Sequence, residues 1–263
     1  MPLFRCSAIS GASSGLGRAL ALALAAPGAV LHLSGRDSER LAETARLVRA
    51  RGAEASETAF DVRDAEAAAA WLARAGRLDL VIANAGLSGG TGRGNAESLE
   101  QIRAIIEANV VGVVNTVVPA LELMRRQPPA ADGVRGRIAV IASLAAFVPA
   151  PGAPTYCASK AFADTWTVAT AETAARSGIL ITSICPGYIA TPMTAANRFP
   201  MPGLMPAGRA AELVLRAIAR GRRRVAFPWW LALAARCLGL LPPRLAGALL
   251  GRAEGKAPLE LRR

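Results

Sequence analysis

The chain has 263 residues, 52% of them hydrophobic, with 31 Lys+Arg against 19 Asp+Glu and a formal net charge of +12. That is enough apolar material for one large α/β domain, while a single histidine and four cysteines without a C-x-x-C pair argue against zinc sites and Ser–His chemistry. The charge is uneven: Arg216–Arg263 carries ten arginines and Lys256 against Glu254 and Glu260, a net +9, so the excess belongs to the tail and is no whole-protein footprint for nucleic acid.

Strand-like and helix-like segments alternate along the chain. Phe4–Ser10 reads as a strand running straight into a glycine turn, not as a signal peptide. Helix Leu16–Ala26, strand Val30–Ser34, helix Ser38–Arg51, strand Ala55–Phe60 and helix Ala65–Ala75 follow. Next come strand Leu78–Ala83, a long helix Leu99–Met124, strand Arg137–Ser143, helix Thr155–Ser177 and strand Ile179–Cys185. Helix Ala207–Arg220 and a seventh short strand, Arg224–Phe227, complete the pattern. Leu78–Ala83 and Ile138–Ala142 lack polar alternation, as strands covered by helices on both faces do. The expected fold is α/β: one doubly wound, parallel, seven-stranded sheet with helices on both faces, ligand sites at the carboxyl ends of its strands, and a C-terminal helical appendage. The expected division is a catalytic domain over residues 1–228 and a tail over 229–263. His32 lies in an apolar strand-like run and is structural, and Cys6, Cys157, Cys185 and Cys237 are expected to be buried free thiols in a reducing cytosol.

Between the first strand and first helix stand Gly11, Ser13, Ser14, Gly15, Leu16 and Gly17, with glycines in a G-x-x-x-G-x-G pattern. So tight a turn needs residues without Cβ, so that a pyrophosphate can approach the backbone and meet the helix N-terminal amides. At the end of the second strand Gly35 takes the place where an NAD-binding chain usually puts a carboxylate, and Arg36 follows. A guanidinium suits a 2′-phosphate that a carboxylate would repel, so NADP (NADPH) is favoured and NAD is less favoured. Asp37 is assigned to capping the next helix.

Tyr156 and Lys160 stand at i and i+4, on one helix face. An ammonium beside a phenol favours the phenolate, which a tyrosine exchanging protons near neutral pH needs. With these residues in place, residues 4–228 resemble the short-chain dehydrogenases/reductases. The elements that carry the resemblance are, in order, the glycine turn, Asp61-Val62, Asn84-Ala85-Gly86, Asn109, Ser143, Tyr156 with Lys160, and Pro186-Gly187 followed by Thr191. Ala83 departs from the pattern, since many relatives carry a second asparagine there. The resemblance implies an oxidoreductase that moves a hydride between NADP(H) and a carbonyl or secondary alcohol. It implies that Tyr156 passes the proton, Ser143 hydrogen-bonds the substrate oxygen, and Lys160 binds the nicotinamide ribose. It further implies that Asn109 holds a relay water, that Asp61 and Val62 contact the adenine, and that Asn84, Ala85 and Gly86 flank the cofactor. Pro186, Gly187, Ile189 and Thr191 would embrace its nicotinamide end. A non-catalytic NADP-binding sensor or scaffold is the alternative, and loss of Tyr156, Lys160 or Ser143 would have favoured it.

Pro192–Met205 is too proline-rich to be helical throughout, and its Met and Phe residues suggest an apolar wall over the substrate. Phe227–Leu241 is apolar almost all round, Pro242-Pro243 breaks it, and Arg244–Gly251 resumes. The run is shorter than the ~20 residues a membrane span needs. Paired tryptophans flanked by arginines suit either a lipid interface or a subunit contact. The expected partners are therefore a small carbonyl or alcohol, a second copy of the chain in a homodimer or homotetramer, and a membrane surface reached through the tail; no nucleic acid and no metal are expected. The location that follows is cytoplasmic, peripheral on the inner face of a membrane.

Overall fold

The structure is a computed structural model and describes residues 4–92, 96–197, 199–250 and 255–259. Five short strands with few or no exposed side chains make the middle of the sheet: β1 (Cys6–Ile9), β2 (Val30–Gly35), β4 (Leu80–Ala83), β5 (Gly136–Ile141) and β6 (Ile179–Pro186). The edge strands β3 (Glu54–Ala59) and β9 (Arg224–Phe227) are more exposed. The seven pair in the order β3-β2-β1-β4-β5-β6-β9, every pair parallel.

Parallel strands need crossovers, and helices supply them on both faces. One face carries α1 (Gly15–Leu24), α2 (Ser38–Arg49) and α8 (Ala207–Ala219), whose Leu20, Leu41 and Val214 close over Ile9, Leu33 and Ile184. The other carries α3 (Ala65–Ala73), α5 (Gly112–Arg126) and α6 (Pro154–Ala175), whose Trp71, Val117 and Ala163 close over Val81, Ile138 and Ile181. The order reverses between β1 and β4, which start crossovers to opposite sides, and this places a crevice at their carboxyl ends.

The predicted long helix is divided. α4 (Leu99–Ile106) leads through a π-helical turn, Glu107–Val111, into α5. The apolar period runs on through that turn, so only the hydrogen bonding reveals it. The run Leu99–Arg126 is long and apolar enough to cross a membrane, the only such helix among the described residues, but half of its apolar window is buried.

After β6 come a short strand β7 (Ile189–Ala190), one helical turn α7 (Pro192–Ala195) and β8 (Met205–Pro206), with β7 and β8 pairing in parallel. The tail forms α9 (Trp229–Gly239) and α10 (Pro243–Leu250). Of the sequence features above, Arg198, residues 1–3 and tail residues 251–254 and 260–263 lie outside the described residues. Asp37 caps α2, accepting from Arg40 N at 2.9 Å. His32 bonds Ser56 Oγ through Nδ1 at 2.9 Å, and burial lowers its pKa. The cysteines are free, but only Cys157 and Cys185 are buried; Cys6 is half-buried and Cys237 exposed, because α9 presents only Ala232 and Ala235 to the interior as buried residues.

Candidate active site

The glycine turn is held from behind by the end of β4. Asn84 Nδ2 donates to the carbonyls of Ser10 (3.1 Å) and Gly11 (3.0 Å), and Ser10 Oγ accepts from the amides of Asn84 and Ala85. Gly11 adopts φ +66°, and a Cβ there would stand 2.7 Å from Ala85 Cα. A Cβ on Gly17 would stand 2.1 Å from Gly11 O. Both glycines are therefore required by the close approach of backbone to backbone. Ser14 is the N-cap of α1 without a side-chain cap bond, while Leu16 is turned into the core. The turn leaves the α1 amides facing the crevice, a donor set that fits a pyrophosphate.

At the end of β2 a Cβ on Gly35 would lie 3.2 Å from Ser13 Oγ, so the turn and this strand end form one wall. The Arg36 side chain is 60% exposed, with Asp61 Oδ2 3.8 Å away. Asp61 is better served by Arg63 at 2.9 Å. Burial raises the Asp61 pKa, but hydrogen bonds and charge from Arg63, with charge from Arg36, outweigh it and hold the carboxyl below its usual range. Val62 is buried and packs on Gly112 at the start of α5.

Tyr156 and Lys160 share one face of α6, and both are buried. Lys160 Nζ donates to Ile141 O at 2.8 Å and lies 5.9 Å from the Tyr156 ring centre. Burial pulls the Lys160 pKa down and charge on Tyr156 pulls it up. Asn109, in the π turn, is fully buried. Its Oδ1 accepts from Leu87 N (2.7 Å), and its Nδ2 donates to Leu87 O (2.9 Å) and Ser159 Oγ (2.9 Å). Ser159 Oγ in turn donates to Tyr156 O at 2.8 Å. Asn109 thus ties the loop after β4 to the helix that carries Tyr156 and Lys160. A Cβ on Gly86 would meet Asn109 Oδ1 at 2.9 Å and Lys160 Nζ at 3.5 Å, so these groups converge on one point.

Ser143 caps a 3-10 turn, Leu144–Phe147, accepting from Ala145 N at 3.1 Å. No hydrogen bond joins Ser143 to Tyr156 among the described residues, and the Ser143 hydroxyl proton is left to point elsewhere. Gly187 N bonds Phe227 O at 2.7 Å, anchoring the loop that follows Pro186 to β9. Thr191 Cβ lies 3.2 Å from where a Gly15 Cβ would be, so this loop folds back over the glycine turn. The Ile189 side chain sits in the core, so only its backbone is left to face the nicotinamide end.

Sequence reasoning passed over Ser10, Ser159 and Ser88. Ser10 and Ser159 are small hydroxyl residues at recognised motifs whose partners lie about 50 or more residues away, and Ser88 stands just past the Asn84-Ala85-Gly86 motif. It also passed over Lys256. Segment 255–259 lies across the site, and Lys256 Nζ sits 3.6 Å from the Tyr156 ring centre and donates to Ser88 Oγ at 2.8 Å. The signal was a count: Lys160 and Lys256 are the only lysines in a chain whose other cations are arginine.

A sequence profile of the short chain dehydrogenase family matches residues 5–200. An uncharacterized oxidoreductase of Myxococcus xanthus is 38% identical over 255 residues, covering 95% of this chain and 97% of that protein. Among solved structures, levodione reductase superposes with a TM-score of 0.76 at 26% identity, over 88% of this chain and 98% of that one. Actinorhodin polyketide ketoreductase with NADPH gives 0.75 at 26% identity, over 87% and 97%.

Proposed function

The chain belongs to the short-chain dehydrogenase family and is an oxidoreductase acting on CH–OH or C=O groups; from that premise we propose that it is an NADP(H)-dependent reductase/dehydrogenase of an apolar carbonyl or secondary alcohol, with Tyr156 as its proton donor and acceptor. The observation that carries the reading is the convergence of Tyr156, Lys160 and the Asn109–Ser159 link at the crevice end of β4 and β5. The bound nicotinamide would supply or accept the hydride. Gly11, Ser13, Ser14, Gly15 and Gly17 would hold its pyrophosphate on the α1 amides, and Arg36 would hold the 2′-phosphate.

The residues of this chain handle the proton. Tyr156 Oη gives it to the substrate oxygen during reduction and takes it back during oxidation. Lys160, buried and anchored on Ile141 O, stabilises charge on the phenol oxygen. Ser143 accepts from Ala145 N, so its own O–H is free to donate to the substrate oxygen as charge develops there. Asn109 spends its amide on Leu87 and Ser159 and so positions α6 against the loop after β4. The alternative, a non-catalytic NADP-binding sensor, has no use for this set.

A panel of ketones and aldehydes, followed by NADPH absorbance, tests the reading. With any accepted substrate Tyr156→Phe is expected to lose about 10²–10⁴-fold in turnover while still binding NADPH. Near-normal turnover in that variant refutes the assignment.

The tail supports a second, independent reading, a cytoplasmic protein held peripherally on the inner face of a membrane. Trp229 (74% exposed), Leu233, Leu240 (86%), Leu245 and Leu249 project outward from α9 and α10. Beside them Arg209, Arg216, Arg220, Arg222, Arg224 and Arg236 line a cavity of about 620 Å³ with Trp229 and Leu233. Exposed apolar side chains next to concentrated positive charge are complementary to an anionic bilayer.

A further inference from the structure

Segment 255–259 is seated on the loop after β4 as if it were an extra strand. Gly90 N donates to Ala257 O (3.2 Å), Gly92 N to Lys256 O (2.8 Å), Lys256 N to Gly152 O (3.2 Å) and Leu259 N to Gln101 Oε1 (2.6 Å). The bed it lies on has no side chains to obstruct it. A Cβ on Gly152 would stand 2.6 Å from Gly255 Cα, one on Gly90 2.8 Å from Lys256 Cβ, and one on Gly92 2.8 Å from Pro258 Cδ. Gly152 meets this segment alone, whereas Gly90 is also required by Gly152 O at 2.2 Å and Gly92 by its φ of +58°, so the three glycines on two loops leave the path that the segment takes.

What the segment delivers is a cation. Lys256 Nζ lies over the Tyr156 ring at 3.6 Å and, among the described residues, has one hydrogen bond, to Ser88 Oγ. An ammonium has three donors, and no carboxylate lies within 4 Å of this one among the described residues. Glu97, an acid at the start of α4, is occupied by Thr155 N and Gln101 Nε2. The groups facing Lys256 from α6 are Tyr156, Cys157 and Lys160. Burial raises the Cys157 pKa and lowers that of Lys160, so neither supplies Lys256 with a counter-charge. Burial also presses the Lys256 ammonium down to about 8, and Lys256 in turn weakens the hold of Lys160 on its proton. Two buried lysines at one tyrosine each disfavour the charged form of the other, on top of the cost of desolvation. Among the described residues no carboxylate pairs with either of them.

We propose that segment 255–259 completes the substrate site and that Lys256 recognises an anionic oxygen, a carboxylate, carried by the substrate near its reacting carbonyl. The site would thus prefer oxo acids or hydroxy acids with an apolar body to the corresponding neutral ketones or alcohols. This deepens the reductase reading and rests on it for the carbonyl, but not for the anion.

The test therefore reads binding, not turnover. Octanoate and octanamide are titrated calorimetrically into the full-length protein, with and without NADPH. The variants are Lys256→Met, which keeps the aliphatic stem, Lys256→Arg, which restores charge, and Gly152→Ala, whose Cβ displaces the segment. Wild type is expected to bind octanoate about 10–100-fold more tightly than octanamide, the effect of one charge-assisted contact. Lys256→Met and Gly152→Ala should bind the two probes within threefold of each other, and Lys256→Arg should keep most of the preference. NADPH affinity should stay within twofold in all variants. Equal affinity of wild type for both probes, absence of binding by either, or a preference that survives Lys256→Met overturns the proposal. Tighter binding of both probes by Gly152→Ala overturns it as well and makes the segment an autoinhibitory plug. A protein that binds octanoate selectively but reduces no carbonyl would refute the reductase reading and leave the anion site standing.

Discussion

Replacing Arg36 by alanine isolates the choice of cofactor. Two arginines stand near Asp61. Arg63 is committed, at 2.9 Å to Asp61 and 3.0 Å to Glu107. Arg36 reaches Asp61 only at 3.8 Å, has no other carboxylate within 4 Å among the described residues, and keeps 60% of its side chain in solvent. Its guanidinium is thus available to a 2′-phosphate at little cost in broken contacts. A hydrogen bond to a charged group contributes about 1.5–3 kcal/mol when desolvated. Solvent screening at this exposure reduces that to roughly 1–2 kcal/mol. Arg36→Ala should therefore raise the Kd for NADPH about 5–30-fold. NADH, which has no 2′-phosphate, should be affected less than twofold. Fluorescence titration of both nucleotides against wild type and variant at fixed salt measures this directly. Tighter binding of NADH than NADPH by wild type, or equal weakening of both by the variant, would refute the reasoning and place the specificity determinant elsewhere.

Asn109→Ala removes three hydrogen bonds from a fully buried side chain and strands the Leu87 amide and carbonyl. The cost should be about 2–4 kcal/mol, a fall in Tm of roughly 5–15 °C for a chain of this size; an unchanged melting curve without cofactor would remove Asn109 from its positioning role. The tail reading is checked by co-sedimentation of the full-length protein with anionic vesicles at low salt, with release at high salt. Truncation after Pro228 should abolish sedimentation and leave NADPH binding measurable. Retention of the full-length protein in the supernatant at low salt, with a smaller assembly on truncation, would assign the apolar face of α9 and α10 to a subunit contact instead.

The fold was legible because its signals are local. Apolar runs such as Leu80–Ala83 and Ile138–Ile141 admit burial on both faces, and the glycine turn stands where backbone crowding demands it. Tyr156 and Lys160 were legible for the same reason, since i and i+4 on a helix are neighbours whatever surrounds them. Asp37 shows the same locality, bonding an amide three residues on. The π turn at Glu107–Val111 was not legible, because the apolar period passes through it and its anchor is Ser159, 50 residues away. Cys237, expected to be buried, was misjudged for a related reason. Hydrophobicity states what a helix would bury, whereas the rest of the fold decides how much of it finds a partner.

Sequence alone thus determined the sheet, the turn that faces a phosphate and the tyrosine–lysine pair, each written in spacings of a few residues. Tertiary structure alone decided that Asn84 braces the glycine turn, that Asn109 and Ser159 lock α6 in place, and that a lysine from the end of the chain lies on the ring of Tyr156. Lys256 is 100 residues from Tyr156, and no periodicity or motif links positions so far apart. They meet because the parallel sheet brings the loops after β4 and β5 to one end, and because Gly90, Gly92 and Gly152 leave room there for one more segment of chain.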